Sequence, residues 1–123
     1  MTPFRVYIAG PLATSGEIGP NTHKAIYAFA SLASAGLAPY LPHLMLLADI
    51  ACPIKRDNYL ATGEEFLRVC DAVYRMPGES QGADDEEQMA EDEGIPVFYD
   101  IQALIGAAMA GEIKRRHHAR SED

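Results

Sequence analysis

The sequence has 123 residues, of which 48% are apolar, and a formal net charge of −8; this predicts one globular domain with a single core. The acidic balance and the lack of a long basic run exclude an extended contact with a phosphate backbone, so no nucleic acid partner is expected. No apolar stretch approaches the roughly 20 residues that cross a bilayer, so no membrane contact is expected.

Short apolar runs alternate with helical patterns, which is typical of an α/β fold with a parallel sheet covered on both faces. The first predicted strand is Phe4–Ala9, and a turn that begins with Gly10 and Pro11 ends it. A helix then begins at an N-cap residue, Asn21 or Thr22, and runs to Gly36.

The second predicted strand is Leu37–Leu41, followed by a partly helical excursion over Pro42–Arg56. The later predicted elements are a helix over Asn58–Val69, a strand over Asp71–Arg75, a helix over Gly82–Glu93, a strand over Ile95–Tyr99 and a helix over Ile101–Ile113. Residues 1–113 thus form the predicted domain, and Lys114–Asp123 is a flexible charged tail.

The two cysteines, Cys52 and Cys70, lack the spacing of a zinc site, and the first residues lack the pattern of a secretory signal. We therefore expect reduced thiols, a cytoplasmic location, no metal and no cofactor.

The turn after the first strand is one candidate ligand site, because ligands of such sheets bind at the carboxyl ends of strands. It matches neither a dinucleotide nor a triphosphate glycine motif. Gly10 still allows a ligand to approach the backbone closely, so Gly10, Pro11 and Leu12 are candidate binding residues. A turn that merely ends the strand explains the same residues equally well.

The turn after the third strand, Gly78–Ala83, is a second candidate. It brings backbone donors and a hydroxyl to the start of a helix, which suits a phosphate or sugar oxygen. Ser80, Gly82 and Ala83 are the candidate binding residues here.

Glu86 departs from the pattern of its acidic helix. Ala83, Met89 and Ala90 form the only apolar face, and Glu86 falls in the middle of it. The helix N-terminus favours its charged form and burial disfavours it, which leaves its pKa open. The alternative is a half-exposed glutamate that reaches water. The other polar residues of the segment need only solvation and no metal: Asp84, Asp85, Gln88, Glu91 and Asp92.

Tyr7 is a polar side chain near the carboxyl end of the first strand. A buried tyrosine hydroxyl needs a partner, and a carboxylate on the helix after an adjacent strand lies within reach. The alternative is an aromatic side chain packed under a helix.

Several segments resemble the nucleoside 2-deoxyribosyltransferase-like family, particularly a small bacterial and phage branch related to deoxynucleoside 5′-monophosphate N-glycosidases. They include V-Y-I-A-G-P near the start, Asn21 with Ala25, P-Y-L-P-H-L at 39–44, C-D-A-V-Y-R at 70–75, P-G-E-S-Q-G-A-D-D-E from Pro77, and Ala90 with G-I-P-V-F. The resemblance implies a flavodoxin/Rossmann-like three-layer sandwich with four to five parallel strands in the order 2-1-3-4(-5).

The resemblance also implies site residues. Glu86 matches the family's glutamate, which attacks or stabilises the anomeric carbon as the base leaves, and Tyr7 matches the tyrosine that orients it. Ser80 matches a serine that, in relatives, lies near the phosphate of a 5′-monophosphate, where water is the acceptor. Relatives form dimers or higher oligomers in which a partner subunit completes the pocket.

Two segments depart from the family. Gly63 stands where relatives usually carry an aspartate that assists the leaving group; Glu64 is a candidate replacement, although neighbouring helix positions point about 100° apart. After His43, the chain carries apolar residues, Leu44–Leu47, which we expect to pack against a neighbouring subunit. His43 itself either contacts the base or phosphate or caps its turn.

The leading hypothesis is cleavage of the N-glycosidic bond of a nucleoside or, preferably, its 5′-monophosphate, by hydrolysis or deoxyribosyl transfer, with Glu86, Tyr7 and Glu64 as catalytic residues. The alternative, favoured by Gly63, is a nucleotide-binding module that has lost catalysis. A third hypothesis is an acidic interaction protein that uses the surface of the charged helix.

Overall fold

The computed structural model describes residues 2–12 and 18–116. Four parallel strands form one sheet in the order β2-β1-β3-β4, which confirms the predicted α/β class and strand order. The strands are β1 (Arg5–Ala9), β2 (Ala38–Tyr40), β3 (Ala72–Arg75) and β4 (Val97–Phe98). The described residues contain no fifth strand.

Both faces of the sheet are covered, and therefore β1 carries four consecutive buried residues rather than an alternating pattern. The helices are α1 (Ile18–Ser34), α2 (Met45–Ala51), α3 (Arg56–Arg68), α4 (Gln81–Glu93) and α5 (Ile101–Met109), with a 3₁₀ turn at Pro42–Leu44. One core lies between the sheet and α1 and α5, around Leu32 and Leu104. The other lies beneath α3 and α4, around Leu67 and Ala90.

The predicted start of the first helix is wrong. Helix α1 begins at Ile18, so Asn21 lies inside it rather than at its cap. The Asn21 side chain is buried, and its amide donates to the carbonyl of Leu12 at 3.0 Å. The polar residue that resembles a cap therefore fixes the segment after β1.

Two other predicted elements are shorter in the structure, and local chemistry explains why. The fourth strand is only Val97–Phe98, since Pro96 has no amide to donate to a neighbouring strand. The last helix ends at Met109, and Gly111 then turns the chain with φ of +73°. Ile113, predicted as helical, still reaches the core and is 4% exposed.

The first residues of the predicted tail contact the domain. The guanidinium of Arg115 lies 4.2 Å from the centre of the Phe4 ring. The backbone amide of Arg116 donates to the carboxylate of Asp71 at 2.9 Å, and its side chain pairs with Glu93. Residues 117–123, like residues 13–17 of the turn after β1, lie outside the described part of the chain.

Within residues 2–12 and 18–116, no helix is long and apolar enough to span a bilayer.

Candidate active site

A cavity of about 360 Å³ lies at the carboxyl ends of β1 and β2, between the sheet and helices α2, α3 and α4. Its size is within the range of sites that hold small molecules. In the order 2-1-3-4 the strand order reverses between β1 and β3, where ligands of open α/β sheets bind. Tyr7 of β1 and Glu86 of the helix that follows β3 both line the cavity. The described residues that line it are Tyr7, Leu12, Tyr40, Pro42, Met45, Asp49, Ile54, Arg56, Tyr59, Leu60, Gly63 and Glu86.

The structure brings Tyr7 and Glu86 together in this cavity. The Tyr7 hydroxyl donates to Oε2 of Glu86 at 2.5 Å. Tyr7 is 1% exposed because it lies on the central strand β1, beneath α3 and α4. Glu86 is half-buried and lies one turn into α4, on the face that also carries Ala83 and Ala90.

Burial raises the pKa of Glu86 to about 7, and the negative charge of Asp85 adds to that rise. The hydrogen bond from Tyr7 and the positive charge of Arg75 act in the opposite direction, since they favour the carboxylate. Burial, and secondly the charge of Glu86, raise the pKa of Tyr7, so its hydroxyl keeps the proton. At neutral pH the pair is thus a tyrosine donor and a carboxyl group that can be either neutral or ionised.

Tyr7 is the first of three stacked aromatic rings, of which Tyr7 and Tyr40 line the cavity and Phe66 does not. Tyr7 stacks on Tyr40 with ring centres 5.6 Å apart, and Tyr40 stacks on Phe66 at 4.7 Å. The sequence reasoning did not assign Tyr40 to the site, although the register of β2 beside β1, which pairs Tyr7 with Tyr40, requires it.

Gly63 lies directly against the Tyr7 hydroxyl. A Cβ atom at this position would be 3.1 Å from the Tyr7 oxygen. The prediction that Glu64 substitutes for the missing acid is not supported, because Glu64 is exposed and does not line the cavity. The next position on a helix points about 100° away, here towards solvent.

Ser80 is the N-cap of α4, and its hydroxyl accepts a hydrogen bond from the amide of Ala83 at 3.1 Å. Ala83 is buried, and Gly82 precedes it in the first turn. None of the three lines the cavity that contains Glu86, so the structure places them at a helix start beside that cavity rather than in its wall.

The three candidate residues of the turn after β1, Gly10, Pro11 and Leu12, have separate roles. A Cβ at Gly10 would lie 2.7 Å from the sulfur of Met76, so glycine is needed where β1 and β3 end side by side. Pro11 is buried, and Leu12 alone of the three lines the cavity. The absence of a side chain at Gly10 thus makes room for Met76, and Gly10 does not line the cavity.

His43 is buried, and its Nε2 lies 3.0 Å from the carbonyl oxygen of Pro11. Burial lowers the pKa of the imidazole, while the carbonyl of Pro11 has the smaller, opposite effect. A neutral ring that donates from Nε2 ties the 3₁₀ turn to the segment after β1. His43 does not line the cavity, so the geometry gives no support to contact with the base. It does not cap its own turn either, because its ring bonds to Pro11 in the segment after β1.

Arg75 is a buried cation that sequence reasoning missed. At the end of β3 it donates to the carbonyls of Met76 and Gly78 and pairs with Asp84 at 2.9 Å and Glu87 at 3.5 Å. It thereby fixes the turn that leads into α4 and stabilises the charge of Glu86. The sequence did carry a signal for this role: Arg75 is a single arginine at the end of an apolar strand, and a buried arginine needs partners.

Two further charged residues of the cavity were also missed. Asp49 of α2 accepts a hydrogen bond from the Tyr59 hydroxyl of α3 at 3.2 Å, and Arg56 begins α3. All three line the same cavity as Glu86. The predicted excursion over Pro42–Arg56 carried no pattern that aligned Asp49 with Tyr59. No group of three or more histidine, cysteine or acidic residues suited to a metal occurs among the described residues.

A family model described as "Domain of unknown function (DUF7768)" matches residues 4–100. The match covers more than half of the chain, which therefore belongs to this family. The comparison with curated proteins gave no match.

Proposed function

We propose that the protein cleaves the N-glycosidic bond of a deoxynucleoside 5′-monophosphate or deoxynucleoside, with Glu86 as the nucleophile and Tyr7 as the residue that orients it. The observation that carries the proposal is the 2.5 Å hydrogen bond between these two side chains in a cavity of ligand size. A carboxylate held by one hydrogen bond to one oxygen keeps the other oxygen for attack.

The chemistry follows from this geometry. Oε2 of Glu86 accepts the Tyr7 hydrogen bond, and Oε1 has no hydrogen-bond partner among the described residues. In the proposed step Oε1 forms a bond to the anomeric carbon as the C1′–N bond breaks, and the base leaves with the bonding electrons and takes up a proton from solvent water. Water or a second base then attacks the glycosyl ester and releases Glu86.

The buried surroundings of Glu86 suit this role. A carboxylate with few water contacts is a stronger nucleophile and stabilises a developing oxocarbenium charge better than one in water. The pKa of about 7 means that a large fraction of the carboxyl is ionised at neutral pH. Tyr7 remains protonated and supports the ionised form.

For the substrate, we propose the 5′-monophosphate with water as acceptor. Ser80 caps α4 at the start of the helix that carries Glu86, and the amides of a helix N-terminus attract an anion. The resemblance of Ser80 to the serine of the monophosphate hydrolases supports the same choice.

A nucleotide-binding module without catalysis is the second candidate, and Gly63 favours it. Gly63 itself carries no acidic group, and a side chain added here would need the Tyr7 hydroxyl to shift by a few tenths of an ångström, since its Cβ would lie 3.1 Å from that oxygen. Since assistance to the leaving group is worth about a hundredfold or more, its loss would leave binding with turnover reduced by about that factor.

The decisive experiment incubates the purified protein with the four deoxynucleoside 5′-monophosphates and the matching nucleosides and measures released base by chromatography. We expect release from the monophosphates that is lost in Glu86→Ala. Glu91→Ala is the matched control, because Glu91 lies on the same helix and is exposed. Release that survives in Glu86→Ala would refute the mechanism, and calorimetric binding with no release would favour the second candidate.

We further propose a homodimer or higher oligomer in the reducing cytoplasm. Leu47 and Ile50 on α2 are 67% and 70% exposed, and Leu44 precedes them, so a second copy has an apolar face to cover. Cys52 and Cys70 are both free thiols, which suits a reducing compartment. Sedimentation of the wild type against Leu47→Glu tests the assembly.

A further inference from the structure

The cavity contains a second carboxylate that the proposed cleavage does not use. Asp49 of α2 accepts a hydrogen bond from Tyr59 through Oδ1, and its Oδ2 has no hydrogen-bond partner among the described residues. Both side chains line the cavity with Glu86, on the wall that α2 and α3 form. The pair is separate from Gly63, where the nucleoside 2-deoxyribosyltransferase-like proteins carry an aspartate, and from Glu64.

We propose that Asp49 and Tyr59 are the residues that recognise the base, and that they select a base edge with two adjacent N–H donors, as guanine carries. This inference rests on the proposed function, since it assigns the base to the same cavity. It goes further in two ways: the α2–α3 wall contacts the base, and this wall prefers a guanine nucleotide.

The hydrogen-bonding capacity of the pair is the basis of the proposal. An ionised carboxylate only accepts hydrogen bonds, and a tyrosine hydroxyl that donates to Asp49 can only accept from a ligand. The pair thus presents acceptors alone. Guanine offers N1–H and the 2-amino group side by side, whereas the donors of adenine, cytosine and thymine are each flanked by an acceptor. An acceptor facing these oxygens would be left unpaired, which penalises those bases.

The rest of the wall suits a flat aromatic ring. Met45 of α2, Ile54 and Leu60 of α3 line the same cavity as Asp49, and Tyr40 of strand β2 lines it as well. Apolar and aromatic surfaces stabilise a base through its faces, while a small number of polar groups reads its edge. Arg56 is the only cation among the described lining residues and can donate to a carbonyl oxygen of the base.

The experiment uses two nucleotides that differ by one amino group, dGMP and dIMP. Their affinities are measured by calorimetry with the full chain carrying Glu86→Gln, which prevents cleavage. We expect dGMP to bind about tenfold or more tightly than dIMP, because the 2-amino group donates to an ionised acceptor. Adding Asp49→Asn is expected to abolish this difference, and adding Tyr59→Phe to reduce it.

Asp57→Asn is the matched control, because Asp57 is an exposed carboxylate of α3 that does not line the cavity. It should leave the preference for dGMP unchanged. Equal binding of dGMP and dIMP without a second substitution would overturn the inference even if Asp49→Asn failed to fold, and so would tighter binding of dAMP or dTMP.

The outcomes for the two proposals differ. Base release by the wild type with no preference for dGMP over dIMP retains the proposed function and overturns the assignment of Asp49 and Tyr59. Preference for dGMP that depends on Asp49, without base release, supports the assignment and overturns the catalytic proposal. Absence of binding to every nucleotide overturns both.

Discussion

The hydroxyl of Tyr7 and the carboxylate of Glu86 form a 2.5 Å hydrogen bond between residues that are 79 positions apart in the sequence. The bond joins the central strand to the acidic helix beside it, at the edge of the sheet where ligands bind. Burial is the larger influence on both pKa values, and the pair adds to it: Glu86 raises the pKa of Tyr7, and the hydrogen bond from Tyr7 lowers the pKa of Glu86. The following predictions depend on this pair and its immediate surroundings.

Glu86→Gln should stabilise the protein increasingly as the pH rises. The folded-state pKa of Glu86 is raised from 4.5 to about 7, so between these values the folded protein binds more protons than the unfolded chain. Stability of the wild type therefore falls through this window, whereas glutamine does not titrate. We expect the Tm of the variant minus that of the wild type to grow by a few degrees from pH 4.5 to 7.5. A difference that is constant across this range would contradict a buried, titrating Glu86.

Tyr7→Phe should move the pH dependence of base release towards higher pH. The nucleophile must be ionised, so the rate of the wild type should rise through about pH 7, the pKa of Glu86. The hydrogen bond from Tyr7 lowers that pKa, and its loss should raise the midpoint and reduce the rate at pH 7 by about tenfold or more. Tyr74→Phe, on β3 outside the cavity, should leave the pH profile unchanged.

Gly63→Ala should reduce the rate of base release without a matching loss of stability. Alanine favours a helix by about 1 kcal/mol over glycine, but its Cβ would lie 3.1 Å from the Tyr7 oxygen, which must then shift by a few tenths of an ångström and lose its alignment with Glu86. Gly106→Ala in α5 is the control, because a Cβ there meets nothing within 4 Å. It should raise the Tm and leave release unchanged. Full activity of Gly63→Ala would show that the Tyr7 position is not critical.

Arg75→Gln should destabilise the protein and also raise the pKa of Glu86. The substitution removes ion pairs with Asp84 and Glu87 and hydrogen bonds to two carbonyls from a buried site. Chemical denaturation should show a loss of about 2–4 kcal/mol. Arg68→Gln, at a half-exposed ion pair, should cost less than about 1 kcal/mol. Similar losses in the two variants would argue against a structural role for Arg75 at the turn.

The periodicity of the sequence predicted the fold class and the helix face on which Glu86 lies, whereas the strand order was implied by the family resemblance. Apolar runs that alternate with helical patterns predict a covered parallel sheet, and the helical period places Glu86 on the face that carries Ala83, Met89 and Ala90. These features depend on periodicity and local chemistry, which a sequence carries directly. The predicted N-cap of the first helix was wrong, because Asn21 has the chemistry of a cap but its side chain bonds to Leu12, a residue of another segment.

The surroundings of Glu86 are known only from the tertiary structure. The distance from Gly63 to the Tyr7 hydroxyl, the meeting of Asp49 with Tyr59 and the turn held by Arg75 each join separate elements. Such contacts depend on how the helices pack on the sheet, to within an ångström, and no local pattern specifies that packing. Glu64 shows the consequence: one step along a helix separates a residue at the cavity from one in solvent.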